Sequence, residues 1–318
     1  MTRARTLLGT LLIVALVATA VGCVLWRRGA VAHGQDAQHL RFGRAGTVVY
    51  VDRDDGRVRQ VTRTGREVGA GPACHRAAVA ASTLICVRAL SGPMTSQVRV
   101  HTGRKDEPEV TLSVWGDPSR ARVSPSGNLV AWTVFRSGDS YAKTGTFSTT
   151  AGIYDLRDGT HHGSLEDFRP FVDGKPYTAE DVNHWGVTFA RDDRTFYATM
   201  GSRGRTWLMR GDLRERTLTA VREGVECPSL APDGHRVAYK KRLGEGRWRL
   251  HVLDLRRGTD TALAESATVD DQPSWLDDRT VAYAKRADGA PTVFAVPADG
   301  SGSPRRMFRG VSPTVTTG

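Results

Sequence analysis

Apolar and polar residues alternate through most of this chain in short runs, and the runs stop at clusters of turn-forming residues. In Cys227–Lys241, CPSLAPDGHRVAYKK, two half-apolar runs flank Ala-Pro-Asp-Gly. Proline presets φ near about −65° for the second turn position, aspartate tolerates the third, and glycine supplies the left-handed residue that lets the strand return. The stretch therefore predicts a β-hairpin. Ser124-Pro125-Ser126-Gly127 before NLVAW has the same form, and Asp192-Asp193-Arg194-Thr195 and Asp277-Asp278-Arg279-Thr280 precede similar apolar runs. Two degenerate copies end at Tyr50 in GTVVY and at Cys86 in STLIC. Aligned on the turn, the copies centre on Ala45, Ala81, Gly127, Asp193, Gly234 and Asp278, at intervals of 36, 46, 66, 41 and 44 residues.

In the better copies a second turn follows, as in Tyr154-Asp155-Leu156-Arg157-Asp158-Gly159 and Val252-Leu253-Asp254-Leu255-Arg256-Arg257-Gly258. Each unit then holds four short antiparallel strands and no helix. Units of about 40 residues built this way mark a β-propeller, and six copies predict an all-β fold of six four-stranded blades over residues 41–318. The first unit lacks a first strand, while Val311–Thr316 is one β-branched strand left over at the other end. The C-terminal segment is thus expected to supply the inner strand of blade one and tie the ring shut.

The pattern P-S-x-x-P-D-G-x-x-V-A-Y, followed by a strand and D-L-x-x-G, resembles the repeat of the TolB-like six-bladed propellers over residues 41 to the C-terminus. TolB itself carries an additional α/β domain before its propeller, in a place taken here by an apolar run and a short linker. The resemblance therefore implies the fold and an exported location, and does not by itself imply a Tol–Pal role.

That apolar run, Thr6–Trp26, holds 21 residues without a charge behind Arg3 and Arg5, enough to cross a hydrocarbon core of about 30 Å as a helix. Three readings of it stand. It is an uncleaved signal anchor in residues 1–28 with a linker at 29–40, or a signal peptide cut after Ala18-Thr19-Ala20, or a lipoprotein box at Ala20-Val21-Gly22-Cys23. The uninterrupted length favours the transmembrane anchor, with residues 6–26 in the cell membrane as a single pass. All three place the propeller on the extracytoplasmic side.

The formal charge is +11, from 45 basic against 34 acidic residues. The basic residues are spread along the chain in short runs among acids, so no nucleic-acid partner is expected, because phosphate recognition needs clustered charge. There is no G-x-S-x-G nucleophile elbow, so a prolyl-oligopeptidase reading lacks its nucleophile. H-E-x-x-H and C-x-x-C are absent too, and His161-His162, adjacent and beside a glycine in an expected turn, reads as solvent-exposed rather than metal-binding. No catalytic residue, metal or cofactor is assigned. The class expected is a non-catalytic binding scaffold for a protein, peptide or cell-envelope component. The alternative is a propeller enzyme, hydrolase or lyase-like, with a site built from loops over the central channel.

Outside the anchor the cysteines are Cys74, Cys86 and Cys227. In the repeat, Cys74 aligns with Cys227 and Cys86 with Tyr239, so Cys74 and Cys86 should face each other across two neighbouring strands. Export favours a disulfide between them; two buried, reduced thiols are the other reading.

Two insertions explain the interval of 66. One is Arg136–Thr149, between the second and third strands of blade three, and the other is Leu165–Asn183, between blades three and four. Both connections emerge on the same face of a propeller, beside His184 and Trp185. They bring Tyr141, Phe147, Phe168 and Tyr177 among Asp173, Lys175 and Glu180, a mixture that recognition surfaces favour. These nine residues are the candidate ligand site.

Overall fold

The computed structural model describes residues 39–93, 95–103, 107–136 and 148–316, together with Thr19 and Gly22. Among the described residues six sheets follow one another along the chain, antiparallel but for one pairing in blade four. Blade one holds β1 (Val48–Val51), β2 (Arg57–Val61) and β3 (Glu67–Ala73). Blade two holds β4 (Arg76–Ala80), β5 (Thr83–Ala89), β6 (Thr95–Thr102) and β7 (Val110–Trp115). Blade three holds β8 (Asp117–Val123), β9 (Leu129–Arg136), β10 (Ser148–Asp155) and β11 (His161–His162). A 3-10 turn, Leu165–Asp167, then leads to β12 (Arg169–Val172) and β13 (Lys175–Pro176). Blade four is β14 (Asn183–Phe189), β15 (Thr195–Ser202), β16 (Arg205–Asp212) and β17 (Thr217–Glu223). Blade five is β18 (Glu226–Leu230), β19 (Arg236–Gly244), β20 (Arg247–Asp254) and β21 (Asp260–Ala262). Blade six is β22 (Ser274–Asp277), β23 (Thr280–Ala287), β24 (Ala290–Pro297) and β25 (Arg305–Arg309).

The last strand, β26 (Val311–Val315), pairs with β1 and is the innermost strand of blade one, in the order β26-β1-β2-β3. The closure expected from the leftover strand is what the chain adopts. It is reinforced by a hydrogen bond of 2.7 Å between the buried hydroxyls of Thr47 and Thr316 and by the Gly46 N–H donating to Thr316 O at 2.9 Å. Around Ala45 there is accordingly a turn that leads into the second strand of a blade, not a hairpin between the first two. Leu40, placed in the linker by the sequence, is buried against Gly71 and Val58 of blade one.

The hairpin turns fall where the repeat put them. Ala80 faces Thr83, Val123 faces Val130, Phe189 faces Phe196 and Leu230 faces Val237, so each pair brackets its turn. Burial explains why these short strands persist. Their apolar residues interleave between neighbouring blades, as where Leu129 and Ile153 of blade three and Phe196, Met200 and Met209 of blade four form one buried cluster.

Cys74 and Cys86 are joined by a disulfide with Cα atoms 5.4 Å apart. They are not directly opposite, however. Cys86 faces Ala77, and Cys74 precedes β4, where its N–H donates to Gly56 O of blade one at 2.8 Å. The bridge thus ties the entry of blade two to its second strand. His161 and His162 form β11, the outer strand of blade three, rather than a turn.

Blade four departs from four strands. β12 pairs parallel to β17, and β13 pairs with β12, giving the order β13-β12-β17-β16-β15-β14. The second insertion is therefore mainly an extension of a blade at its outer edge. The first insertion lies outside the described residues from 137 to 147, and so do nearly all of residues 6–26. Among the described residues no helix is long and apolar enough to cross a membrane.

Candidate functional site

In a propeller the six inner strands run side by side around the axis, so their residues decide what the channel holds. Here several of these strands carry a β-bulge, between Pro118 and Arg120 in β8, Trp185 and Thr188 in β14, and Glu226 and Ser229 in β18. A bulge bends a strand and re-aims a side chain. In β18 it places Cys227 in the left-handed region at φ 51°, with its N–H donating to Thr199 Oγ1 at 2.8 Å.

Side chains cross the channel. Arg122 of blade three donates to Pro273 O and to Ser274 Oγ of blade six, at 2.5 and 3.5 Å. Gln272 donates from Nε2 to Pro228 O at 2.7 Å and to Val187 O at 3.1 Å, reaching blades five and four. Arg120 reaches the Cys227 Sγ at 3.9 Å. The axis is thus plugged by polar cross-links, and Arg76, Arg120 and Arg122 all lie in or beside the plug.

Among the described residues none of these three guanidiniums makes an ion pair with a carboxylate. Burial disfavours a charge that lacks a partner. Burial holds Arg76 below its ordinary range, and it brings Arg122 down to about 10. Asp271 offsets part of this for both, whereas Arg120 adds repulsion. Asp270, the neighbouring acid, is engaged by Lys240 at 2.5 Å.

Above the plug, on the face of the Pro-Asp-Gly turns, the channel opens into a cup of about 170 Å³. All six inner strands contribute to it. Its walls are mostly apolar, from Ala80, Val123, Phe189, Leu230, Trp275 and Val315, and its polar groups include Thr188, Ser229, Ser274 and Thr314. Among the described residues, the charged side chains lining it are Arg122 at the floor and Arg191, which is exposed at the rim. Thr314 is buried, and its hydroxyl has no hydrogen-bond partner.

The nine residues singled out from the sequence do not form one surface. Tyr141 and Phe147 lie outside the described residues. Phe168 is buried in the core, edge-on to Phe196 at 5.8 Å. Asp173 and Lys175 are exposed at the β12–β13 turn on the outer edge of blade four. His184 and Trp185 are buried on the inner edge, five strands away, or about 24 Å at about 4.8 Å per strand. Between them the chain returns inward along the β15–β16 turn. There the Tyr177 hydroxyl donates to Ser202 Oγ at 3.0 Å, and Asp181 accepts from Ser202 and from the Arg203 N–H. Glu180 is exposed on that return segment. The expected cluster is dispersed because the insertion spends its length on pairing with β17 instead of rising over the face.

The sequence reading missed the arginines of the channel, although a signal existed. Arg122, Ser229 and Ser274 each face the alanine of the V-A-aromatic run in their own blade, namely Ala131, Ala238 and Ala282. An arginine where sister repeats carry serine marks a residue that local strand formation does not ask for.

No family model matches the sequence. Among solved structures, TolB from Acinetobacter baumannii aligns with a TM-score of 0.58 at 16% identity, over 85% of this chain and 66% of that one. The fold is that of the TolB propellers. A chain of the nidogen/laminin complex aligns at 0.56 with 9% identity, over 85% of this chain and 98% of that one. A puromycin-hydrolysing peptidase from Mycobacterium tuberculosis aligns at 0.51 with 16% identity, over 86% and 45%. The TolB-like propeller thus spans just under two thirds of the Acinetobacter protein and less than half of the peptidase, and at such identities the likeness is one of fold.

Proposed function

We propose that this protein is a non-catalytic binding scaffold, held at the cell membrane by residues 6–26, that captures a protein, peptide or cell-envelope component on the extracytoplasmic side. The observation that carries the reading is the cup. All six blades build it, side-chain cross-links close its floor, and its lining offers apolar walls, hydroxyls and two arginines. Among the described residues of the lining there is no carboxylate, histidine or cysteine to take or give a proton, and general acid–base chemistry needs such a group in reach of the reacting atoms. The Cys74–Cys86 disulfide agrees with an oxidising compartment. The nidogen/laminin complex, whose chain shares the fold, gives a precedent for a propeller in a protein complex.

The full chain as bait in solubilised membranes tests this. Pro125 and Pro232 stand exposed at the rim, and Pro125→Trp with Pro232→Trp sets two bulky rings over the cup. That variant should lose capture while keeping its melting temperature within about 3 °C, whereas Lys175→Ala with Tyr177→Ala, at the β12–β13 turn and the return segment beside the β15–β16 turn, should capture normally. Retention by the rim variant together with loss by the Lys175 and Tyr177 variant would move the binding surface to the opposite face.

A further inference from the structure

We propose that the cup receives an apolar group ending in a carboxylate, with the carboxylate against Arg122 and the apolar part against Phe189, Leu230 and Trp275. This names the ligand chemistry of the scaffold described above, and rests on that reading.

Three observations meet at this place. The first is charge: the two charged side chains of the lining are both arginines, one at the floor and one at the rim. Asp271 and Arg120 both act on Arg122 in the plug, yet among the described residues no carboxylate makes an ion pair with it, and a guanidinium has more N–H donors than its bonds to Pro273 and Ser274 use. A carboxylate matches the fork of an arginine in shape as well as in sign. The second is the orphaned Thr314 hydroxyl, buried on the cup wall without a partner. Buried polar groups are rarely left so, and a turn of the side chain towards the cup would let a ligand oxygen satisfy it. The third is size and polarity. A space of about 170 Å³ is comparable to an apolar cavity of about 150 Å³ that takes up benzene, so one branched or aromatic group fits.

Such a group occurs at the C-terminus of a peptide with an apolar last residue and in a short free carboxylic acid. Calorimetric titration of the full chain in detergent uses three probes: acetyl-Gly-Gly-Leu, its C-terminal amide, and 4-methylpentanoate. The free-acid peptide should bind at least tenfold more tightly than the amide, and its affinity should fall with added salt. Arg122→Gln should weaken it at least tenfold. Because Arg122 also bridges blades three and six, Arg191→Gln and Thr314→Val serve as variants that leave the ring intact, and each should weaken binding about two- to fivefold. If 4-methylpentanoate binds as tightly as the peptide, the source is a free acid; if it binds at least tenfold more weakly, the source is a peptide end. Equal binding of acid and amide, or acid binding unchanged in all three variants, would overturn the proposal. Absence of acid binding by a protein that still captures its partner from membranes would overturn this inference alone and leave the scaffold reading standing.

Discussion

His184 is enclosed on the inner strand of blade four, and neither ring nitrogen has a hydrogen-bond partner. Burial alone pushes its pKa from the ordinary 6.5 down to about 4. The ring is therefore neutral in the fold, while in the unfolded chain it takes up a proton as the pH falls below about 6.5. The unfolded state binds more protons between those values, so stability is fully present above about pH 6.5 and declines as the pH falls towards 4. Relative to His184→Leu, the natural protein should lose about 2–3 kcal/mol of unfolding free energy between pH 7.5 and 4.5. Urea titrations of both proteins at the two pH values measure it, and parallel losses in both would contradict the assignment. His184 was legible as a residue near the axis, but not as a buried, unpartnered base, because no local pattern states what surrounds a side chain. The glycines opposite aromatics are similar cases. The ring of Phe196 lies 2.1 Å from where a Cβ on Gly211 would stand, and that of Trp132 lies 2.3 Å from one on Gly152. Sequence shows those glycines as breaks in strands, whereas their role is to seat a ring across the ladder.

At the scale of elements, what could be read was what is local. Pro-Asp-Gly and Pro-Ser-Gly fix their turns through their own backbone preferences, and the turns fall where the repeat put them. The bulges could not be read, because two residues facing one is imposed by bending a strand around the axis. Cys74 and Cys86 meet without being opposite for a different reason: Cys74 stands before β4, outside the unbroken β4–β5 ladder. The pairing of β12 with β17 was hidden for another reason: it joins residues about fifty positions apart in parallel, and alternation carries no information on partners. The closing strand could be read because it was the one element left without a blade. Its removal is a direct test at this scale. Without residues 311–318 the edge of β1 loses its ladder, and Val48, Val49 and Val51 lose the cover of Val311. The melting temperature should drop by about 10 °C or more, with a broader transition followed by circular dichroism. An unchanged transition would mean that β26 does not carry the closure.

At the scale of the molecule, the ring encloses an axis that is plugged rather than open. Arg122 and Gln272 connect blades three, four, five and six across it. A ring braced in this way suits binding more than movement, since its cup needs no rearrangement to accept a ligand and preorganised sites lose less on association. Among the described residues, the lining of the cup offers hydroxyls and two arginines, and no carboxylate, histidine or cysteine. The two classes left open by the sequence, scaffold and loop-built enzyme, therefore differ in one observable outcome. The decisive measurement is the fate of the captured ligand. Eluted from the full chain, identified by mass, and returned in tenfold excess to fresh protein, it should saturate at one equivalent per propeller and be recovered chemically unaltered after prolonged incubation. Product accumulating beyond one equivalent, and no longer formed by the rim variant, would contradict the scaffold and make the protein an enzyme.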